Sequence, residues 1–296
     1  MTTHPTIRER ALTHLLRWAP KRTFSNVVGL LARRRLPRHL RERVFAGFAD
    51  RVGADLSEAE LPLADYPTFD AFFTRRLRPG LRPVDPAPDV IVSPCDGTVA
   101  EHGVAARGRM IQAKGFDYRL DHLLPDAAMA ARFEGGTYLT IYLAPRDYHR
   151  VHFPSEGRVL GFHHVPGAVF PVNAFAVGRI GGIFAINERL ITLMDSPVGE
   201  IAVVMVAATG VGHMTVTYDA VETRRVGRGR AGGPVRFASP RPVQRADELG
   251  AFHLGSTVIL LFEPGRVRLG SLTVGQRLRL GQAVARRAAA RGESAA

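Results

Sequence analysis

The chain has 296 residues, 46% of them hydrophobic, a formal net charge of +13 and a pI of about 11.0. That apolar content excludes a disordered chain, the length suits one large domain or two small ones, and a lone cysteine, Cys95, excludes an intrachain disulfide and a structural cysteine metal site. The positive charge favours a phosphate-bearing partner, an anionic bilayer or a nucleic acid, although lysine occurs only at Lys21 and Lys114, so genome composition is a second source of the arginine excess.

The first elements in the chain read as helical. Ile7, Ala11, Leu15 and Trp18 share a face that Pro20 ends. Phe24, Val27, Val28 and Leu31 repeat at helical spacing, as do Leu40, Val44, Phe48 and Val52 after Pro37. A further helix is expected at Phe69, Phe72, Phe73 and Leu77, stopped by Pro79-Gly80. Residues 1–43 hold eleven Lys/Arg against Glu9 and Glu42, with Arg33, Arg34 and Arg35 adjacent. Such stripes suit helices lying on an anionic bilayer, and equally a helical layer on the core with solvated arginines outside. No zinc-finger spacing, RNA-binding motif or recognition helix points to nucleic acid.

The proline-rich segment from Leu77 to Asp89 reads as a linker or irregular crossing. After it come short β-like runs at Val90–Val92, Tyr138–Leu143, Ile201–Val206, Met214–Tyr218 and Val258–Phe262, which predict a largely antiparallel β body. Arg224–Gly233 reads as a solvated basic loop, and the Ala/Arg-rich tail after Gln282 as a frayed helix or disorder. The longest apolar run, Ile201–Ala208, is far short of the roughly 20 residues that span a bilayer, and the N-terminus lacks a signal-peptide pattern. The expectation is a protein that stays where it is made and meets a membrane from its surface.

Three segments concentrate reactive side chains. SPCDGTV sets Asp96 in a turn before a strand, where Asp-Gly alone is an ordinary turn pair; Cys95 beside it suits a small buried filler. YLAPRDYHRVHFP places His149 and His152 three residues apart, bounded by Pro145 and Pro154, a context that disfavours a metal-binding helix and favours at least one acid–base histidine. FHLGSTVILLFEPG holds Gly255, Ser256 and Thr257. Glycine before serine permits unusual backbone geometry, and Val258 rules out a G-x-S-x-G elbow.

Together these segments resemble the bacterial and mitochondrial phosphatidylserine decarboxylases, pyruvoyl enzymes whose precursors carry an L-G-S-T cleavage motif, here Leu254, Gly255, Ser256 and Thr257. YPTFDAFFTRRLRPGLRPVD, SPCDGTV, Gln112-Ala113-Lys114-Gly115, YLAPRDYHRVHFP, FPVN at Phe170–Asn173 and FAINER at Phe184–Arg189 follow in the family's order, spanning about residues 66 to 265. TGVGHM at Thr209–Met214 matches a glycine-rich family segment loosely, and His213 has no family role assigned.

The resemblance implies an α+β protein with amphipathic N-terminal helices (1–79, membrane-associating) before a β-rich catalytic domain (80–296). It implies self-cleavage between Gly255 and Ser256, into a large chain 1–255 and a small chain 256–296. Asp96 would orient His152, His152 would take the Ser256 proton, and Ser256 would attack the Gly255 carbonyl, passing through an ester to a pyruvoyl group at residue 256. That covalent cofactor would form a Schiff base with phosphatidylserine and act as the electron sink for loss of CO2, giving phosphatidylethanolamine. His149 is the first candidate to reprotonate the carbon, with His152 a sharer. No metal, soluble cofactor or nucleic acid is implied. The partners implied are phosphatidylserine in an anionic membrane and the protein's own chains, as a heterodimer that can pair again. The expected location is peripheral, on the cytoplasmic face of the cell membrane. Other readings are a serine hydrolase using the same triad without self-cleavage, a non-catalytic membrane-binding module, and a pyruvoyl decarboxylase of a soluble amino acid.

Overall fold

The computed structural model describes residues 21–113, 116–209, 213–221, 223, 233–253 and 256–289. The expected helix over Ile7–Trp18, the Lys114-Gly115 pair, half of the TGVGHM segment, most of the Arg224–Gly233 segment, Leu254, Gly255 and the last residues of the tail lie outside them.

Three helices come first: α1 (Lys21–Ala32), α2 (Arg38–Val52) and α3 (Phe69–Phe73). Pro37 precedes α2, and Gly53 ends it in the left-handed region at φ 73°, donating its N–H back to the Ala49 carbonyl at 2.8 Å. Thr68 caps α3 by accepting from the Ala71 N–H at 3.0 Å. The face of α2 differs from the expected stripe: Leu40 and Val44 are exposed, while Phe45 and Ala49 are buried. The cause is tertiary, because Phe45 stacks on Phe72 of α3 with centroids 4.7 Å apart and planes within 5°. α3 also stops at Phe73, short of the expected Leu77.

The rest is built on sixteen strands among the described residues: β1 (Val90–Val92), β2 (Gly97–Val104), β3 (Arg109–Ala113), β4 (Phe116–Arg119), β5 (Thr137–Leu143), β6 (Arg150–His152), β7 (Gly157–Val165), β8 (Arg189–Ser196), β9 (Gly199–Ala207), β10 (Met214–Val216), β11 (Pro234–Val243), β12 (Glu248–Phe252), β13 (Ser256–Phe262), β14 (Val267–Leu269), β15 (Arg277–Leu278) and β16 (Ala283–Arg287). Eight form one antiparallel sheet in the order β11-β7-β8-β9-β13-β5-β2-β15, and two three-stranded sheets, β10-β12-β6 and β1-β16-β14, accompany it. The expected α+β class with helices ahead of an antiparallel body is the observed one. The tail is a correction: Ala283–Arg287 is neither frayed helix nor disorder but strand β16, between β1 and β14 with Val284 and Ala285 buried. Its partners lie nearly 200 residues upstream as well as close by, so local propensity gives no sign of it.

All seven residues of β13 are buried, as a strand packed on both faces requires. Val258, Leu260 and Phe262 face one apolar core with Leu139, Ile141, Leu143, Val203 and Met205; Ile259 and Leu261 face a second with Tyr138, Val204 and Val206. The β10-β12-β6 sheet contributes Val151, Met214, Val216, Leu249 and Phe252 to the first core. Polar clamps pin the connections. Gln112, fully buried, donates to the carbonyls of Val177 and Ile180 and accepts from the Ile183 N–H. Asn187, also fully buried, bonds both backbone groups of Phe170 and the Ala207 carbonyl.

Phe72→Ala removes the ring that α2 stacks upon and should destabilise the helical layer by about 3–5 kcal/mol. Hydrogen exchange should accelerate in residues 38–73 while β13 stays protected; equal acceleration in both would show that the layer and the sheet unfold as one unit.

Candidate active site

Ser256 opens β13, opposite Leu143 of β5 on one side and Ala207 of β9 on the other. Side chains alternate along a strand, so Ser256 shares the face of Val258 and Leu260, the face that the β10-β12-β6 sheet helps to cover. Its Oγ is buried and has no hydrogen-bond partner among the described residues. Thr257 points to the other face, its Oγ1 likewise buried and unpartnered.

The histidine segment leaves β5 through a turn closed by Asp147, whose carboxylate accepts from the Ala144 N–H at 2.8 Å and from Arg277 at 2.7 Å. His149 Nδ1 donates to the Asp147 carbonyl at 2.8 Å, so Nε2 carries the lone pair; that atom is buried without a partner. The ring lies 4.1 Å from the Phe73 ring of α3. Burial, against the hydrogen bond to Asp147, pushes the His149 pKa down to about 3. The Phe252 N–H donates to the His149 carbonyl at 2.9 Å, tying this residue to the strand that leads toward Ser256.

His152 ends β6. Its Nδ1 donates to the Ala246 carbonyl at 2.7 Å, and its Nε2 accepts from the Tyr148 hydroxyl at 3.2 Å. Burial lowers its pKa as well, leaving the ring neutral at pH 7. The His152 N–H donates to the Pro94 carbonyl at 2.7 Å, which brings the strand against the segment carrying Asp96.

Asp96 is buried and fully engaged. It accepts from Arg82 Nε at 2.9 and 3.0 Å, from Arg82 Nη2 at 2.5 Å and from the Leu280 N–H at 2.9 Å. Arg82 in turn donates to Glu58 at 3.0 and 2.6 Å. Burial works against the Arg82 charge, but the bonds to Asp96 and Glu58 outweigh it and raise the guanidinium pKa. Gly97 is more than half of a turn pair: a Cβ there would stand 2.6 Å from Ile141 Cγ2 and 2.7 Å from the Tyr142 carbonyl oxygen, so only glycine lets β2 approach β5 this closely. Cys95 is fully buried, and burial pushes its thiol well up, as suits a filler.

The fold thus gathers the three predicted segments at one end of β13, with Asp96 in electrostatic reach of both histidines. Among the described residues no hydrogen bond joins Asp96 to His152, or either histidine to Ser256. Sequence reasoning missed the residues that occupy them. Arg82 sits in a stretch read as linker, and Tyr148 directly precedes His149. Asp70 of α3, unremarked in sequence, accepts from His253 Nδ1 at 2.8 Å, three residues before Ser256. The one sequence signal was the run of charged residues within the motifs that carried the family resemblance.

The family model for phosphatidylserine decarboxylase matches residues 69–286. A phosphatidylserine decarboxylase proenzyme from Anaeromyxobacter sp. (strain K) is 48% identical over 277 residues, covering 93% of this chain and 98% of that relative. Proenzymes of the same name from Myxococcus xanthus and Brevibacillus brevis are 44% and 37% identical, covering 88% and 94% of this chain and 92% and 98% of the relatives.

The depressed histidines set an acid limit on stability. An unfolded histidine takes up a proton below about pH 6.5, whereas buried His149 does not until about pH 3. Stability should therefore be full above pH 6.5 and fall as pH drops toward 3. His149→Gln should flatten that limb by up to about 1.4 kcal/mol per pH unit, read from urea midpoints between pH 7 and 4; an unchanged slope would place the acid sensitivity elsewhere.

Proposed function

The chain belongs to the phosphatidylserine decarboxylase family, and from that premise we propose that it cuts itself between Gly255 and Ser256 and then removes CO2 from the serine headgroup of phosphatidylserine. The observation that carries this reading is the Ser256 hydroxyl, buried at the start of the central strand with no hydrogen bond to satisfy it among the described residues. A buried polar group left unpaired is unfavourable for stability and calls for a reason, which a nucleophile waiting for its base supplies at Ser256.

In self-cleavage Asp96 orients His152, and His152 takes the Ser256 proton. Ser256 Oγ then bonds the Gly255 carbonyl carbon. The Gly255–Ser256 C–N bond breaks, its nitrogen takes a proton, and an ester replaces the amide. Removal of the residue-256 Cα proton with scission of Cβ–Oγ leaves a Gly255 carboxylate and a dehydroalanine. Water displaces its nitrogen as ammonia, and a pyruvoyl group remains. In the uncut chain Arg82 holds Asp96, the Ala246 carbonyl holds His152 Nδ1 and Tyr148 holds His152 Nε2, so this relay needs all three pairings exchanged. A second reading has one observation in its favour: His149 Nε2 is buried, neutral and unpartnered, which suits it as the base for Ser256.

The pyruvoyl group supplies an amine-reactive ketone whose carbonyl draws electrons from the carbon that loses CO2. The unpartnered Ser256 hydroxyl fits as its source. His149 is the proposed donor of the returning proton; its ring is neutral in the uncut chain, so that role requires the ring to gain a proton after cleavage. The two chains, 1–255 and 256–296, remain a heterodimer in this reading because β13 lies between β5 and β9, β15 pairs with β2 and β16 with β1. Heterodimers can pair again. No described helix is long and apolar enough to cross a membrane. Exposed Val27, Leu30 and Leu31 on α1 and Leu40 and Val44 on α2, with Arg33, Arg34 and Arg35 between, support peripheral binding of residues 1–79 to the cytoplasmic face of the cell membrane, with 80–296 as the catalytic unit.

Denaturing mass spectrometry should find two chains meeting at Gly255/Ser256, the smaller lighter by one ammonia than a serine-started peptide. A single intact chain in active protein would favour a triad hydrolase. Ser256→Ala should stay uncut and inactive. His152→Ala should block cutting while His149→Ala cuts yet decarboxylates poorly; an uncut His149→Ala beside a cut His152→Ala would make His149 the base. Deleting residues 1–43 should weaken binding to anionic vesicles, and unchanged binding would refute the anchor.

A further inference from the structure

Three arginines of the described residues are buried near the site or its supports, and only two are satisfied. Arg189 donates to the carbonyls of Leu123, Ala185, Asn187 and His122 at 2.5–3.1 Å. Arg82 has the carboxylates of Asp96 and Glu58. Arg75 is 4% exposed, its Nε is buried without a partner, and no carboxylate pairs with it. Its one described side-chain contact is the Phe72 ring, 5.2 Å from the guanidinium carbon. A buried guanidinium nitrogen with no acceptor is unfavourable unless a partner arrives.

Its position says which partner. Arg75 follows Phe73, which packs on His149, and Thr74, whose carbonyl accepts from Arg150 Nε at 2.8 Å. The Arg75 charge reaches His149 and Asp96. Glu58, Asp55 and Asp96 lie in electrostatic reach of Arg75, but none of them bonds it, and Arg82 engages Glu58 and Asp96, which leaves Arg75 Nε open to an acceptor from outside the chain.

We infer that Arg75 binds the phosphodiester of the substrate headgroup, a role that rests on the decarboxylase reading. The headgroup offers two anions. A tight ion pair to the carboxylate would stabilise the group that must leave and oppose the reaction, since only interactions stronger in the transition state speed it. The phosphodiester keeps its charge from substrate to product, a few bonds from the carbon proposed to be reprotonated by His149. A planar guanidinium suits two of its oxygens at once. Arg75 is thus a binding residue that holds the headgroup in place while the carboxylate is left free of a cation.

Calorimetry on the purified full-length protein separates these options without relying on turnover. Dihexanoyl phosphatidylglycerol, kept below its micelle concentration, carries the phosphodiester with neither amine nor carboxylate; N-acetyl-L-serine carries the carboxylate with the amine blocked and no phosphate. Arg75→Gln should weaken the lipid by about 10- to 100-fold and leave N-acetyl-L-serine unchanged. For turnover of phosphatidylserine, KM should rise by a similar factor with kcat nearly constant. The reverse pattern of binding would assign Arg75 to the carboxylate, and either no change in both probes or no lipid binding to the native protein would also overturn the inference. Should Arg75→Gln fail to fold, Arg75→Lys keeps the charge but loses the planar fork, and unchanged lipid affinity in it overturns the inference equally. An uncut chain in active protein that still shows Arg75-dependent lipid binding would sink the self-cleavage reading and leave the phosphodiester contact standing.

Discussion

The central strand constrains everything else in the molecule. β13 is hydrogen-bonded on both edges and buried on both faces, and it begins at Ser256. A side chain at the first residue of such a strand is held by the whole sheet, because moving it would disturb two ladders and two cores together. The same arrangement separates position from continuity. A break just before Ser256 would cut the chain while leaving β13, β15 and β16 paired with strands from the other side of the break.

Around that strand the fold collects charge in a low-dielectric setting, where pairing decides what is stable and what can react. Arg82 ties Glu58, from the helical region, to Asp96 at the mouth of β2. Asp70 of α3 reaches His253, and Phe73 of the same helix packs on His149. The helical layer is therefore part of the site. Its aromatic cluster of Phe45, Phe48, Phe69 and Phe72 packs α3 against α2. Beside these satisfied groups, the buried atoms Ser256 Oγ, His149 Nε2 and Arg75 Nε have no partner among the described residues, and they supply the proposed nucleophile, base or acid, and cation. Their neighbourhood matches the three demands of a decarboxylase acting on a charged lipid headgroup.

The α+β class, the order of helices before strands, and the segments around Asp96, His149, His152 and Ser256 were all legible in the sequence, since each depends on local pattern or on a contiguous motif. Strands at Val90–Val92 and Val258–Phe262 were visible as short apolar runs, and Val90–Val92 matched to the residue. Other features were not legible. Phe45 rather than Val44 faces the core because a ring from α3 lies there. Ala283–Arg287 is a strand only because β1 and β14 flank it. Gln112 and Asn187, recognised as motif residues, turned out to clamp backbone far away in sequence.

By itself, then, the sequence determined the chemistry available and the family to which it belongs, because reactive side chains and their flanking residues are written contiguously. Tertiary structure alone decided which of those groups are paired. Asp96 meets Arg82 across 14 residues and Leu280 across 184, and Arg75 Nε meets no acceptor among the described residues. Pairing in a buried site depends on distance and desolvation between segments remote in the chain, and neither quantity is encoded in local spacing.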